Sequence, residues 1–360
     1  MSDTALRLPQ ISRARLAGIA VPLLATLAAI LFGLVLVAIT SQSVGDAIAA
    51  FVDGTIGSAY SIGASLNRAV ALSLVGLGFI VANQANLTNV GGEGQIAMGG
   101  IFATALALNP GVTALPLGLA VILPLLAGAL AGGVWGGIAG GLKAKFGTNE
   151  VISTLLLTFI ALLAVYWAVQ SEELLRQPRT SSSTLPESLE IADAAKLPLL
   201  SGSGESPLHI GIVIALVAAV IVAIVLRRSA FGMKLRAVGL NETAARRAGI
   251  GRDGVVVAAL SIAGAFGGLA GAIMLLGEQY YLKAGFSSGY GFDGLVVGLL
   301  SRGSASGVIL GALFFGFLRS GGISMEISAS VPSAVVLIVQ GLIVIAVAGS
   351  TFLLERRGRG

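Results

Sequence analysis

Apolar and polar positions alternate along this chain in long blocks. Apolar runs, most of them near the roughly 20 residues that a membrane-crossing helix needs, are separated by short polar breaks. Ten runs can be drawn: 16–40, 68–82, 96–108, 115–142, 151–170, 209–226, 255–276, 294–300, 306–317 and 334–348. The first follows Arg7, Arg13 and Arg15. Ala47-Ile48-Ala49 resembles a signal-peptide cleavage site, but the run before it exceeds the 7–15 residues of a signal-peptide core. A retained first helix is therefore expected. Residues 41–66 are mildly amphipathic and expected outside.

Two runs are short and polar-ended. One is 68–82, with the polar stretch behind it; the other is 294–300, cut from the next run by Ser301-Arg302-Gly303-Ser304. They fall at comparable places in two halves of five runs. Short interrupted segments in matching positions point to the central site of a transporter, so a five-plus-five repeat is expected.

Composition makes the class firm. Hydrophobic residues are 56% of the chain and charged residues 11%, with a mean hydropathy of +0.95, whereas a soluble domain carries about 25% charged residues. The fold class expected is an all-α integral membrane protein of about ten spans. Glycine, at 51 of 360 residues, sits inside apolar runs, where small residues let helices approach in lipid. Gly128, Gly132, Gly136 and Gly140 form one row at four-residue spacing, and Gly133, Gly137 and Gly141 a second. Gly264/Gly268, Gly267/Gly271 and Gly303/Gly307/Gly311 are read the same way.

The net charge of +5 needs no nucleic acid. With the N-terminus cytoplasmic, sixteen of the 22 Lys and Arg fall on the cytoplasmic side, as the positive-inside rule requires. Residues 171–207, with four prolines, a serine run at 181–183 and six acids against three bases, then form an external loop or small cap. The expected organisation is a cytoplasmic tail 1–15, a membrane domain 16–350 with the external loop 171–207 and a cytoplasmic loop 227–253, and a cytoplasmic tail 351–360. Ten spans put both termini on the cytoplasmic side.

Little catalytic chemistry is available. There is no cysteine, and the single His209 excludes a histidine triad or an H-E-x-x-H zinc site; it is expected at a helix start near the interface. No G-x-x-x-x-G-K-[ST] occurs, so no ATP hydrolysis through a P-loop is expected in this chain. No cofactor or metal is expected.

Two polar stretches stand out. The first, NVGGEGQIAMGG at 89–100, contains a G-x-G-x-x-A pattern. A dinucleotide cradle needs a strand before it, a helix after it and an acid about 20 residues on; after Glu93 the next acid is Glu150. The stretch reads instead as a break between two spans, toward the cytoplasmic side. Asn83, Gln84, Asn86, Asn89, Glu93 and Gln95 are candidates for a solute path. Helix capping is the competing role for Glu93 and Glu150, both near predicted helix starts. Thr148-Asn149-Glu150 reads as the cap of the run at 151. The second stretch, FGMKLRAVGLNETAARRAGI at 231–250, predicts a short helix over 242–248, capped by Asn241 and stopped by Gly249. A small, smooth, basic helix on the cytoplasmic face suits docking into a groove of a soluble partner.

Together these stretches resemble a family. NVGGEGQIAMGG is similar to the N-[IV]-G-x-E-G-Q signature of bacterial ABC-importer permeases of the ribose, branched-chain amino-acid and nucleoside class. GTNEVISTLLLTFIA (147–161) resembles the G-x-N-E-V-I-x-T segment of the nucleoside branch, KLRAVGLNETAARRAGI the cytoplasmic loop of the class, and VPSAVVLIVQGLIVI (331–345) its last span. The resemblance runs from about 60 to 350. It implies a permease subunit without its own ATPase site, working by alternating access; the alternative is an ion-coupled secondary transporter, which needs charged groups within the spans, and few exist. The implied partners are an ATP-binding subunit that holds ATP and Mg, a second permease, commonly different from the first, and a periplasmic or lipid-anchored solute-binding protein in a bacterial inner membrane. It also implies that 241–248 is a coupling helix, with Arg236, Gly239, Asn241, Ala244, Ala245 and Gly249 at family-like positions. The chain departs from the branch at Leu157-Thr158-Phe159, where an asparagine and a tyrosine are usual, which leaves the solute class open between nucleosides, simple sugars and branched-chain amino acids.

Overall fold

The computed structural model describes residues 43–343 except 117, 179–184, 203 and 333, together with 24, 27–28, 31–40, 345 and 346. The start of the first predicted span, the serine run 181–183 and both predicted tails lie outside the described residues. Helices dominate: α1 (Leu31–Thr40), α2 (Val44–Ile56), α3 (Ala59–Gln84), α4 (Gly92–Ala107), α5 (Pro110–Thr113), α6 (Leu119–Phe146), α7 (Glu150–Gln170), α8 (Gly211–Arg228), α9 (Ala230–Leu240), α10 (Glu242–Arg247), α11 (Arg252–Met274), α12 (Tyr290–Leu300), α13 (Ala305–Ala329) and α14 (Ala334–Ile343). Among the described residues there is no β-strand. The protein is a helical membrane protein.

Among the described residues six helices are long and apolar enough to cross a bilayer: α3, α6, α7, α8, α11 with its continuation to Gln279, and α13. The α1–α2 pair, bent by 116°, would make a seventh. The ten runs seen in sequence include α4, α12 and α14. At 1.5 Å per residue, the 16 residues of α4 and the 11 of α12 reach only about 24 and 16 Å, short of a hydrocarbon core of about 30 Å. One expectation is corrected: the run 68–82 is not short. It belongs to the 26-residue α3, because the polar residues 59–67 continue the helix against neighbours. Ser58 caps its start, accepting from the Ser61 N–H at 3.0 Å. Likewise 306–317 lengthens into the 25-residue α13.

Two compact units emerge, residues 55–320 and, separately, the segments up to Gly54 and from Gly321 on. In the second, Gly321 lies under the Phe51 ring and Gly322 against Val336. In the first, α3 is buried on every side from Ala69 to Ala82 and forms the axis. The reverse holds for α7 and α8, which expose Phe159, Leu163, Trp167, Leu216, Val220 and Ile224, the large apolar surface that lipid covers.

The glycine rows explain how α4, α6 and α11 approach. A Cβ on Gly132 would strike the Gly264 carbonyl, one on Gly268 the Gly128 carbonyl, and one on Gly99 or Gly271 the backbone of the facing helix. The second row is looser and mixed: Gly141 has nothing within 4 Å and Gly133 nothing closer than 3.4 Å, while a Cβ on Gly137 would meet the Ser261 side chain at 2.6 Å. Gly303 is a turn residue at φ +77° rather than a helix contact.

The described part of segment 171–207 packs against residues 276–282 that follow α11. Ser188, Ile191 and Leu197 donate their N–H groups to the carbonyls of Leu282, Tyr280 and Leu276. Lys196 pairs with Glu190 and Asp193, each at 2.7 Å, and stands 4.7 Å over the Tyr280 ring. Those two carboxylates raise its pKa above the usual lysine value.

Candidate functional site

The stretch 85–100 leaves the Gln84 end of α3, turns inward and begins α4 inside the bundle. Gly92, at the start of α4, lies against Val75 of α3, and so does Gly294 in the first turns of α12. Val75 is nine residues before Gln84, about 13 Å along the helix. The N-termini of α4 and α12 therefore meet inside the protein, head to head. Gly291 and Gly92 allow this: a Cβ on Gly291 would collide with the Glu93 backbone nitrogen.

Glu93 fastens the junction. Its Oε1 accepts from Ser287 Oγ at 2.6 Å and from the Gly289 N–H at 2.8 Å, and its Oε2 accepts from the Gly291 N–H at 2.7 Å. The residue is 4% exposed. The backbone N–H groups at a helix start carry partial positive charge, so one carboxylate here serves two helix starts. Glu93 thus caps a helix, but the helix is α12, reached from nearly 200 residues away. The second polar pair is equally enclosed. Asn89 Nδ2 donates to Gln95 Oε1 at 3.0 Å, Gln95 Nε2 donates to Asn89 Oδ1 at 3.1 Å, and the Gly91 N–H donates to Asn89 Oδ1 at 3.0 Å.

The irregular backbone before α4 is satisfied by α7. The Val90 N–H donates to Thr154 Oγ1 at 3.2 Å and the Thr88 N–H to Glu150 Oε1 at 3.3 Å. Glu150 also pairs with Lys143 at 2.6 Å. Non-helical backbone at membrane depth is tolerated where protein supplies its partners. Thr158 is buried against Gly94 of α4, while Phe159 points outward and is 56% exposed.

The six solute-path candidates therefore divide. Asn89, Glu93 and Gln95 are buried together around the junction. Asn83, Gln84 and Asn86 sit at the end of α3, with Asn83 and Asn86 exposed. Asn86 lines a cavity of about 270 Å³ with Gly239, Asn241, Glu242 and Arg252; Gln84 lines another, of about 360 Å³, with Arg227, Arg236 and Gly303. Both cavities join the end of α3 to the loop 227–253.

In that loop, Asn241 caps α10, its Oδ1 accepting from the Ala244 N–H at 2.9 Å, and Gly249 ends it at φ +80°. The helix 242–247 agrees with the sequence reading. Ala244 is exposed and Ala245 buried, so the alanine pair splits between an outward and an inward face. Gly239 touches the Gln84 carbonyl, and a side chain there would collide with it. Arg236 donates to the Leu226 carbonyl in the last turn of α8.

His209 is buried; its Nδ1 accepts from the Gly211 N–H at 3.1 Å, and its Nε2 has no partner among the described residues. Burial pushes its pKa down to about 4. It lies just before the start of α8, as read from sequence, and is enclosed by protein.

Sequence reasoning missed a polar group on α3, α12 and α13. Arg68 donates to Ser320 Oγ at 2.7 Å. Arg319 pairs with Asp293 at 2.6 Å, donates to the Ser288 carbonyl and lies 4.0 Å over the Tyr290 ring. The signal was present as single charges in or beside apolar runs, which are expensive in a membrane and mark function by default. Among the described residues no group of three His, Cys, Asp or Glu could hold a metal.

Two short helices thus meet head to head inside a bundle of membrane-length helices, beside a basic loop that abuts the central helix, the kind of interrupted arrangement found at transporter sites. Residues 61–348 match the family described as "Branched-chain amino acid transport system / permease component", and the chain belongs to it. It is 38% identical over 344 residues to the glucose ABC transporter permease protein TsgB13 of Haloferax volcanii, covering 92% of this chain and 87% of that protein. It is 35% identical to the guanosine ABC transporter permease protein NupP of Bacillus subtilis, covering 93% and 94%. It is also 32% identical over 257 residues to the nucleoside ABC transporter permease protein NupB of Lactococcus lactis, covering 69% and 70%. No solved structure matches the chain.

Proposed function

We propose that this chain is the permease subunit of an ABC importer that moves a nucleoside or simple sugar. The observation that carries this is similarity over nine-tenths of its length to permeases named for glucose and guanosine. Transport proceeds by alternating access. ATP and Mg bind in a partner chain, whose closure pushes on α10. The push passes from Gly239 to the Gln84 end of α3, and α3 holds the α4–α12 junction against its middle. Arg236, Asn241 and Gly249 keep the loop in shape for this, Ala245 seats α10 on its own fold, and Ala244 faces the partner. Asn83, Gln84 and Asn86 lie at the cytoplasmic exit; Asn89, Glu93 and Gln95 hold the junction around which the path opens.

The same reading gives ten spans in a five-plus-five arrangement with both termini cytoplasmic. The pairing of α3–α4 with α11–α12, each a long helix followed by a short one starting inside the bundle, supports the repeat. The membrane domain is 16–350, with tails 1–15 and 351–360. The partners are an ATP-binding subunit, a second permease and a solute-binding protein, in a bacterial inner membrane. The test is uptake of guanosine and of glucose in vesicles with and without the ATP-binding partner. Uptake is expected only with that partner and ATP. Uptake that follows an ion gradient and ignores the ATPase overturns the reading.

A further inference from the structure

Helix α8 carries an apolar stripe on its outer side. Val213, Val217, Val220 and Ile224 are all exposed, and their spacing puts them on one helical face. Arg227, three residues on, continues that face and is exposed too. There the stripe ends at a cavity of about 360 Å³. Arg227 lines it together with Arg236 of α9, Gln84 of α3, and Ser304 and Ser306 at the start of α13. Its volume falls within the roughly 300–1,000 Å³ of ligand pockets.

The lining is one-sided in charge. Two arginines contribute to it, and no Asp or Glu does. Among the described residues neither Arg227 nor Arg236 pairs with an acid. Arg236 is held in place, donating to the Leu226 carbonyl, and Leu226 lines the same cavity. The Ser304 and Ser306 hydroxyls stand 2.9 Å apart. Beside them the first N–H groups of α13, which have no partner within the helix, add partial positive charge. A helix-end role alone does not account for this. Arg227 and Arg228 both close the last turn of α8, where cations suit the dipole, yet of the two only Arg227 lines the cavity.

Two cations on one cavity repel each other unless an anion lies between them. A phosphate suits the place, since guanidinium groups donate to its oxygens in charge-assisted pairs and the serine hydroxyls can donate as well. The surroundings say what carries the phosphate. Ala223 and Leu226 supply an apolar side to the cavity, and the stripe of α8 runs on from it. Basic pockets between spans hold anionic headgroups in this way. We propose that the cavity binds the phosphate of an anionic phospholipid between Arg227 and Arg236, with the acyl chains along Val213, Val217, Val220 and Ile224. The headgroup then ties α3, α8, α9 and α13 together beside the loop that leads to α10. The proposal rests on the permease reading above only for the leaflet, which is the cytoplasmic one.

The test titrates the full chain in detergent with dioleoyl phosphatidylglycerol and reads retained lipid by native mass spectrometry. The chain is expected to hold it about fivefold or more tighter than dioleoyl phosphatidylcholine, whose headgroup has no net charge. Arg227→Gln should weaken phosphatidylglycerol about fivefold or more, while Arg228→Gln stays within about twofold. Ser306→Asp should weaken it as well, although an acid suits the first turn of α13 and keeps the chain folded. Equal affinity for the two lipids, equal losses in Arg227→Gln and Arg228→Gln, or no loss in Ser306→Asp overturns the proposal. Displacement of the lipid by inorganic phosphate at equal concentration gives the cavity to a soluble anion and overturns it too. So does release of the lipid when the ATP-binding partner assembles, which gives the cavity to that partner. Should Arg227→Gln fail to fold, the two lipids on the parent chain and Ser306→Asp still decide. Binding needs no ATP, so a failure of ATP-dependent uptake would overturn the importer reading while leaving this result standing.

Discussion

Glu93 and Glu278 are both carboxylates within the helical bundle, and they are opposites. Glu93 is enclosed, with three donors on its two oxygens. Glu278 is exposed, with none among the described residues. Each lies where a helix departs from regularity, Glu93 at the head-to-head start of α4 and α12, Glu278 on the π-turn Leu275–Gln279 that continues α11. A satisfied carboxylate holds two elements together and has nothing left to offer. An unsatisfied one contributes little to holding the fold and remains available to a ligand.

The largest expected effect tests the first half of that comparison. Glu93→Ala leaves the donors from Ser287, Gly289 and Gly291 without an acceptor and should cost about 3 kcal/mol or more, read as a lowered thermal midpoint in detergent. Glu278→Ala should stay within about 0.5 kcal/mol of the parent. Equal losses in the two variants would erase the distinction.

Next is the junction itself. Gly291→Ala puts a methyl group into the Glu93 backbone and is expected to cost about 1–3 kcal/mol, with uptake falling alongside stability. A stable variant with normal uptake would mean that the helix ends need not meet. Smaller, and dependent on pH, is His209. Its folded pKa is pushed down to about 4 from 6.5, so the unfolded chain takes up the proton first. The stability that neutral His209 contributes is complete above pH 6.5 and is lost as pH falls from there to about 4. His209→Gln should flatten that part of a midpoint-against-pH profile, and an unchanged slope would remove the assignment. The smallest effect is expected at Gly141→Ala, where nothing lies within 4 Å of the added methyl; a change beyond about 0.5 kcal/mol would show that this end of α6 packs after all.

Local features were legible in the sequence. Asn149 and Asn241 cap the helices expected of them, because a cap is decided within four residues. The four-residue glycine row was read as packing and packs α6 on α11. The length of α3 was misjudged, because residues 41–66, with Ser61 and Ser65, read as an amphipathic stretch outside the span. In the fold Ser65 donates to Ser61 and Asn67 to the Pro207 carbonyl, so their polarity is absorbed. Arg319 was missed for a related reason: the apolar run was ended at 317, just before it, yet α13 runs on to Ala329.

The sequence by itself determined the class: how much of the chain is apolar, that it is built of helices of membrane length, which loop is basic and which acidic, and a family signature around Glu93. Those are properties of composition and of neighbours along the chain. Only the tertiary structure decided what each polar residue does. Glu93 finds its donors nearly 200 residues away on α12 and just before it, Gly239 finds the end of α3, and Arg319 finds Asp293. Whether a buried polar group is spent on the fold or kept for a ligand depends on partners that the chain brings together only when it folds.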